Sequence, residues 1–128
     1  MRMHEQWLSS AEEDYESAVL LLSSKKLKTA IFHAQQCGEK ALKAFIVFKN
    51  QPIQKTHNLI VLIRLCMNIE PDFNNIINLA FNLNGLDVEY RYPINDGSGI
   101  YDEPTDIQVQ ESIENSKQIL DFVKSKCI

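Results

Sequence analysis

The sequence predicts an all-α protein: a mostly antiparallel, up-and-down bundle of four to five helices with a long irregular loop before the last helix. Three observations predict it. Apolar residues recur at steps of three and four through most of the chain, the spacing of one helical face. The stretches between those runs are mostly short and carry Pro, Asn-Gly or Ser-Lys clusters. Little of the sequence alternates with the period of two that a half-buried strand needs. A chain of 128 residues is expected to form one domain, 1–128, and at that length it buries roughly two thirds of the surface its unfolded form exposes.

The first helix is expected over residues 4 to 23, where Trp7, Ala11, Tyr15, Ala18 and Leu22 share a face and Glu12, Glu13 and Glu16 occupy other angles. SSKKLK (23 to 28) interrupts the periodicity, and so short a connection predicts an antiparallel second helix, from about Lys28 to Phe48. Its stripe of Ala30, Ala34, Cys37, Ala41, Ala44, Phe45 and Phe48 is widened by Ile31, Gly38, Leu42 and Ile46, so this helix should be central. Gly38 in mid-helix costs about 1 kcal/mol relative to Ala, which points to a close approach by a neighbour. NQPIQKTHN (50 to 58) reads as a loop, and Thr56 as the N-cap of a third helix through about Met67. Pro71 suits the first turn of a fourth helix, running to about Leu83. Asn84-Gly85 ends it, and residues 85 to 104 read as a long irregular segment with Pro93, Gly97, Gly99 and Pro104. Such a stretch in a compact domain is mobile or functional. Thr105 or Asp106 could cap the last helix, which carries Val109, Ile113, Leu120 and Val123 and ends near Lys126.

Composition narrows the function classes. The net charge of -4 provides no basic excess for a nucleic-acid backbone, and no DNA partner is expected. No apolar run reaches spanning length, and the opening MRMHEQW lacks the apolar run of a signal peptide. A cytoplasmic protein away from membranes is the expectation. Cys37, Cys66 and Cys127 are odd in number and far apart, and read as free thiols in a reducing compartment.

One stretch stands out, HAQQCGEKALKAF, His33 to Phe45. At about 100° per residue, His33, Gln36, Lys40 and Lys43 share a face opposite the alanine stripe, with Glu39 near its edge. The row has two readings. It is a solvated face, with Glu39–Lys43 as an i, i+4 ion pair, or a slot where lysines neutralise phosphate while His33 and Gln36 bond a base or sugar. His57 follows Thr56 at a helix start, where free N–H groups favour an anion; the alternative is a side chain of the capping region. In EYRYP, Glu89 to Pro93, Tyr90 or Tyr92 could stack on a base while Arg91 clamps phosphate; equally, both rings could pack beneath the loop. His4, His33 and His57 share no ligand spacing, no phosphate-binding loop or nucleophile elbow occurs, and no cofactor is expected.

Taken together, AIFHAQQCGEKALKAF, the KTHNL that follows, YRYP further on, and the opening helix with Trp7, Ala11, Asp14 and Ala18 resemble the HEPN domain (higher eukaryotes and prokaryotes nucleotide-binding), over nearly the whole chain. The resemblance implies a bundle of four or five helices that commonly pairs into a homodimer, often acting beside a small nucleotidyltransferase. It favours a role for Lys40, Lys43 and Arg91 on phosphate, His33 and His57 as hydrogen-bonding groups, and Tyr90 or Tyr92 as a stacking ring, with ATP or GTP as the nucleotide. Toxin-type members of that family are metal-independent ribonucleases with an Arg followed four to six residues later by His. Here Arg91 is followed by YPINDGSGI and Arg64 by LCMNIEP, while after Arg2 the histidine, His4, comes too soon. The implied function is therefore a non-enzymatic nucleotide-binding or nucleotidyltransferase-partner module. The rivals are a ribonuclease that uses a non-standard pair, with His57 as candidate, and a purely structural dimerising bundle.

Overall fold

The computed structural model describes residues 1–90 and 102–128, and these are helices and connections without a strand. In chain order they are α1 (Met3–Ser23), α2 (Leu27–Phe48), α3 (Leu59–Ile69), a 3-10 segment (Pro71–Ile76), α4 (Ile77–Leu83), α5 (Leu86–Glu89) and α6 (Asp106–Lys126).

The expectation that α2 is central holds: it packs against α1, α3, α4, α5 and α6. A tight turn at Ser24–Lys26, with Lys25 at φ 60, reverses the chain between α1 and α2. Ion pairs Lys25–Asp106 and Lys124–Glu12 set the end of α1 against the start of α6 and the middle of α1 against the end of α6, so α1 and α6 are also antiparallel. α6 therefore runs parallel to α2, an arrangement that the long connection before it permits.

Two apolar clusters fill the bundle. The larger holds Phe45, Phe73, Leu59, Leu62, Leu83, Ile119 and Leu120; the smaller holds Ala18, Ile31, Ala34, Val109, Ile113 and Tyr90. Gly38 explains itself here, because a Cβ at that position would lie 3.0 Å from Leu83 Cδ1 and 3.5 Å from Leu59 Cδ2. The missing side chain lets α4 close onto α2.

Three boundaries differ from the sequence reading. The N-cap of α3 is Asn58, not Thr56: Asn58 Oδ1 accepts from the N–H of Ile60 (2.9 Å) and of Val61 (3.2 Å), while Thr56 Oγ1 accepts from the N–H of Asn58 one step upstream. The stretch read as one fourth helix opens as a 3-10 segment before α4. Three residues per turn brings positions i and i+3 into line, and Phe73 and Ile76, so spaced, both reach the core. Finally, residues 86–89 of the segment read as irregular form the short α5, entered through Gly85 at φ 84. At α6 the expected cap is present as a reciprocal pair: Thr105 Oγ1 accepts from the N–H of Gln108, and Gln108 Oε1 from that of Thr105.

Candidate functional site

The polar row of α2 does not lie opposite the core. α1 and the loop before α3 cover its inner edge, and the side chains of Glu39 and Lys43 are only 4% and 6% exposed. The reading as a plain solvated face is thereby corrected, although the Glu39–Lys43 ion pair is present at 3.1 Å.

Two trios of the same chemistry result. In the first, Asp14 of α1 is buried; His33 Nδ1 lies 2.8 Å from its Oδ1 and Lys40 Nζ 2.7 Å from its Oδ2. Lys40 also donates to Ser10 Oγ at 2.9 Å. In the second, Glu39 Oε2 meets both Lys43 Nζ and His57 Nδ1, each at 3.1 Å. Lys43 sits 5.7 Å from the centre of the Trp7 ring, a cation–π distance. Gln35, fully buried, donates to Glu39 Oε1 (3.4 Å) and accepts from Gln36 (2.7 Å).

A carboxylate only accepts, so in both trios the imidazole Nδ1 carries the proton and Nε2 is left as the acceptor in the neutral ring. Each lysine charge is matched by a carboxylate charge. With neutral imidazoles the strip is therefore balanced, and it presents oriented donors and acceptors instead of a bare positive field.

His33, Gln36, Lys40, Lys43 and His57 are thus brought together on one strip. His57 joins it through Glu39 and not through a helix start. The first N–H groups of α3 are taken, that of Leu59 by Asn84 Oδ1 at 2.9 Å and those of Ile60 and Val61 by Asn58, so the expected anion site at that terminus is not open. Tyr90 lies elsewhere. It is buried in the smaller cluster, and burial, with Glu89 and Asp102 adding to it, pushes its phenol above the usual range. Tyr90 also borders a cleft of about 310 Å³ with Lys28, Thr29, Phe32, Leu86 and Asp87. Phe32 is the link to the strip, its ring edge-on to His33 with centroids 5.3 Å apart. Arg91 and Tyr92 lie outside the described residues.

The backing groups Asp14 and Gln35, and Ser10 and Trp7 beside the lysines, were not among the sequence candidates. A signal existed for two of them. Asp14 interrupts the Ala11–Ala18 face, and Gln35 falls on the line of Ile31, Gly38 and Leu42. A polar side chain on an apolar stripe must find a buried partner. Among the described residues no group of three or more His, Cys, Asp or Glu could hold a metal ion, and no helix is long and apolar enough to cross a membrane.

Comparison with known proteins agrees with this architecture. The HEPN domain matches residues 4–126. "Putative toxin MJ1304" of Methanocaldococcus jannaschii is 27% identical, over 92% of this chain and 84% of its own. Among solved structures, ST0689, an archaeal HEPN homologue, is 28% identical with a TM-score of 0.77 over 100% of both chains. TT1696 from Thermus thermophilus is 25% identical with a TM-score of 0.83 over 98% of this chain and 99% of the other. With a family match across nearly all its length and the helical bundle to go with it, the chain belongs to the HEPN domain family.

Proposed function

We propose that this HEPN protein is a non-enzymatic binding module that works as a homodimer and holds a nucleotide, a nucleotidyltransferase partner, or both on the α2 strip. One observation carries the reading: each outward donor is held from behind by a buried polar group. Asp14 backs His33 and Lys40, Gln35 backs Gln36, and Glu39 backs His57. Burying carboxylates costs several kcal/mol of desolvation even in good pairs, and a plain solvated face has no use for them. Fixed donors lower the ordering cost of binding. A phosphate would take Lys40 from Ser10 and Asp14, while His33, Gln36 and His57 address the base or sugar.

The test is a calorimetric titration of the protein with ATP, GTP and UTP. Micromolar binding of one of them, weakened about tenfold or more in Lys40→Ala through loss of one charge-assisted contact, supports a nucleotide site. Flat traces with all three remove the nucleotide half of the reading. Partner docking then rests on pull-down of a nucleotidyltransferase by the wild type and not by Lys40→Glu.

A second reading, a metal-independent ribonuclease, is favoured by two imidazoles, His33 and His57, each held by a carboxylate at Nδ1 and without a hydrogen-bond partner at Nε2 among the described residues. In that chemistry the Nε2 of one neutral imidazole would remove the ribose 2′-hydroxyl proton, the 2′-oxygen would attack phosphorus, and the departing 5′-oxygen would take the Nε2 proton of the other imidazole, entering the step as the imidazolium. The name of the Methanocaldococcus jannaschii relative is consistent with it; the missing Arg-x4-6-His pair counts against it. RNA cleavage in the presence of a chelator, lost in both His33→Ala and His57→Ala, would establish it in place of the first reading.

A further inference from the structure

A second surface lies apart from the strip, along the outer seam of α1 and α6. Tyr15, Val19 and Leu22 of α1 and Ile113 of α6 floor a groove of about 430 Å³ between the two antiparallel helices. Val19 is 42% exposed, and Leu20 beside it, at 68%, is the most exposed large apolar residue of α1. The groove runs for about two helical turns, from the level of Leu22 to that of Tyr15 (~10 Å at 1.5 Å per residue). The ion pairs Lys25–Asp106 and Lys124–Glu12 bracket its two ends.

Its charge is one-sided. The lysine on the rim, Lys117, already bonds Asp121 at 2.8 Å and lies over the Tyr15 ring. The other two lysines of α6, Lys124 and Lys126, are paired with Glu12 and with Glu70 and Asp72. Glu114 on the α6 rim and Glu16 on the outer side of α1 have no ion-pair partner among the described residues, and both are exposed. The lysines of α6 are therefore used internally, and carboxylates remain to face whatever comes.

We infer that the α1–α6 groove takes an amphipathic helix of another protein whose apolar stripe is flanked by Lys or Arg. An apolar floor two turns long fits side chains at i, i+3 or i+4, and i+7, and the leftover carboxylates select the flanking charge. A second copy of this chain is the poorer occupant, because both faces of such a contact would carry the same uncompensated carboxylates, Glu16 and Glu114, and no free cation of α6 to meet them. It is not nucleic acid, which those carboxylates repel. The site stands whether or not the α2 strip binds a nucleotide.

The experiment uses the full chain and fluorescent helical peptides that share a leucine stripe but carry Lys or Glu on its flanks, read by anisotropy. The Lys-flanked peptide binds, and the Glu-flanked one binds at least about tenfold more weakly, because its flanks bring like charge to Glu16 and Glu114. Glu16→Lys/Glu114→Lys inverts that order, and Val19→Asp abolishes binding while leaving the circular dichroism unchanged. Equal binding of the two peptides, or none of either, overturns the inference. So does a concentration-dependent dimer that Val19→Asp dissociates, which would mean that a second copy fills the groove.

Discussion

His57 Nδ1 lies 3.1 Å from Glu39 Oε2, so an imidazole that is 73% exposed is anchored to a carboxylate that is 4% exposed. The loop before α3 is thereby tied to the middle of α2 through one polar contact, and the same carboxylate neutralises Lys43 from the other side. Glu39 is the joint between an exposed surface group and the interior, and the energetics of the strip turn on it.

Removing the Glu39 charge should therefore be strongly destabilising. Glu39→Gln leaves the Lys43 ammonium buried against Trp7 without its counter-charge, for a loss of ~3 kcal/mol in denaturant unfolding. Glu39→Gln/Lys43→Met removes both charges together and should recover more than half of that loss. His57→Ala, acting on an exposed group, should cost under ~1 kcal/mol. If the double variant were no more stable than the single one, the lysine would not be the source of the penalty.

The corrected start of α3 makes a separate prediction. Asn58→Ala removes an acceptor for two N–H groups and should destabilise by ~1 kcal/mol or somewhat more. Thr56→Ala removes only the bond to the N–H of Asn58 and should cost less than half as much. Equal effects in thermal unfolding would return the cap to Thr56.

The cysteines predict a pH dependence. Burial pushes Cys37 and Cys66 up to about 12 from an ordinary 9.0, so the folded state keeps both protons where the unfolded state has lost them. Above pH 9 the unfolded chain binds fewer protons, and stability must fall as pH rises toward 12, by up to ~1.4 kcal/mol per pH unit for each thiol. Below pH 9 the two thiols contribute no slope. Cys37→Ala should flatten the alkaline limb measurably in urea titrations at successive pH values. In the native protein at neutral pH, thiol reagents should modify Cys127 first, since it is half-buried, whereas Cys37 and Cys66 react only on unfolding.

Most of the fold was legible because each long helix carries a wide apolar stripe with clear interruptions. α1, α2 and α6 begin and end within a residue or so of the expected 4 to 23, Lys28 to Phe48, and Thr105 or Asp106 to Lys126. The misplaced boundaries lie where two residues offer the same local chemistry, as Thr56 and Asn58 both can cap, or where a segment of six residues is too short to separate steps of three from steps of 3.6, as at Pro71–Ile76. The strip was half legible. Periodicity groups His33, Gln36, Lys40 and Lys43, but it cannot say that Asp14 arrives from another helix, nor that the row is covered on one side. That information is tertiary, and it alone separates a wet face from a backed set of donors.

Gly38 offers a test in which two known effects oppose each other. Gly38→Ala gains about 1 kcal/mol of helix propensity in α2. Against that, the new Cβ would sit 3.0 Å from Leu83 Cδ1, with Leu59 and Ile119 methyl carbons at 3.5 and 3.6 Å behind it. Leu83 is fully buried, so its methyl group cannot turn into solvent and must instead push on the larger cluster, at a cost of ~1 to 3 kcal/mol. The packing term should prevail, with Gly38→Ala losing ~1 kcal/mol net and Gly38→Val several times more. Pairing Gly38→Ala with Leu83→Val, which shortens the side chain in the way, should cost less than the sum of the two single losses. Strict additivity would mean that the glycine does not serve the α2–α4 approach at all.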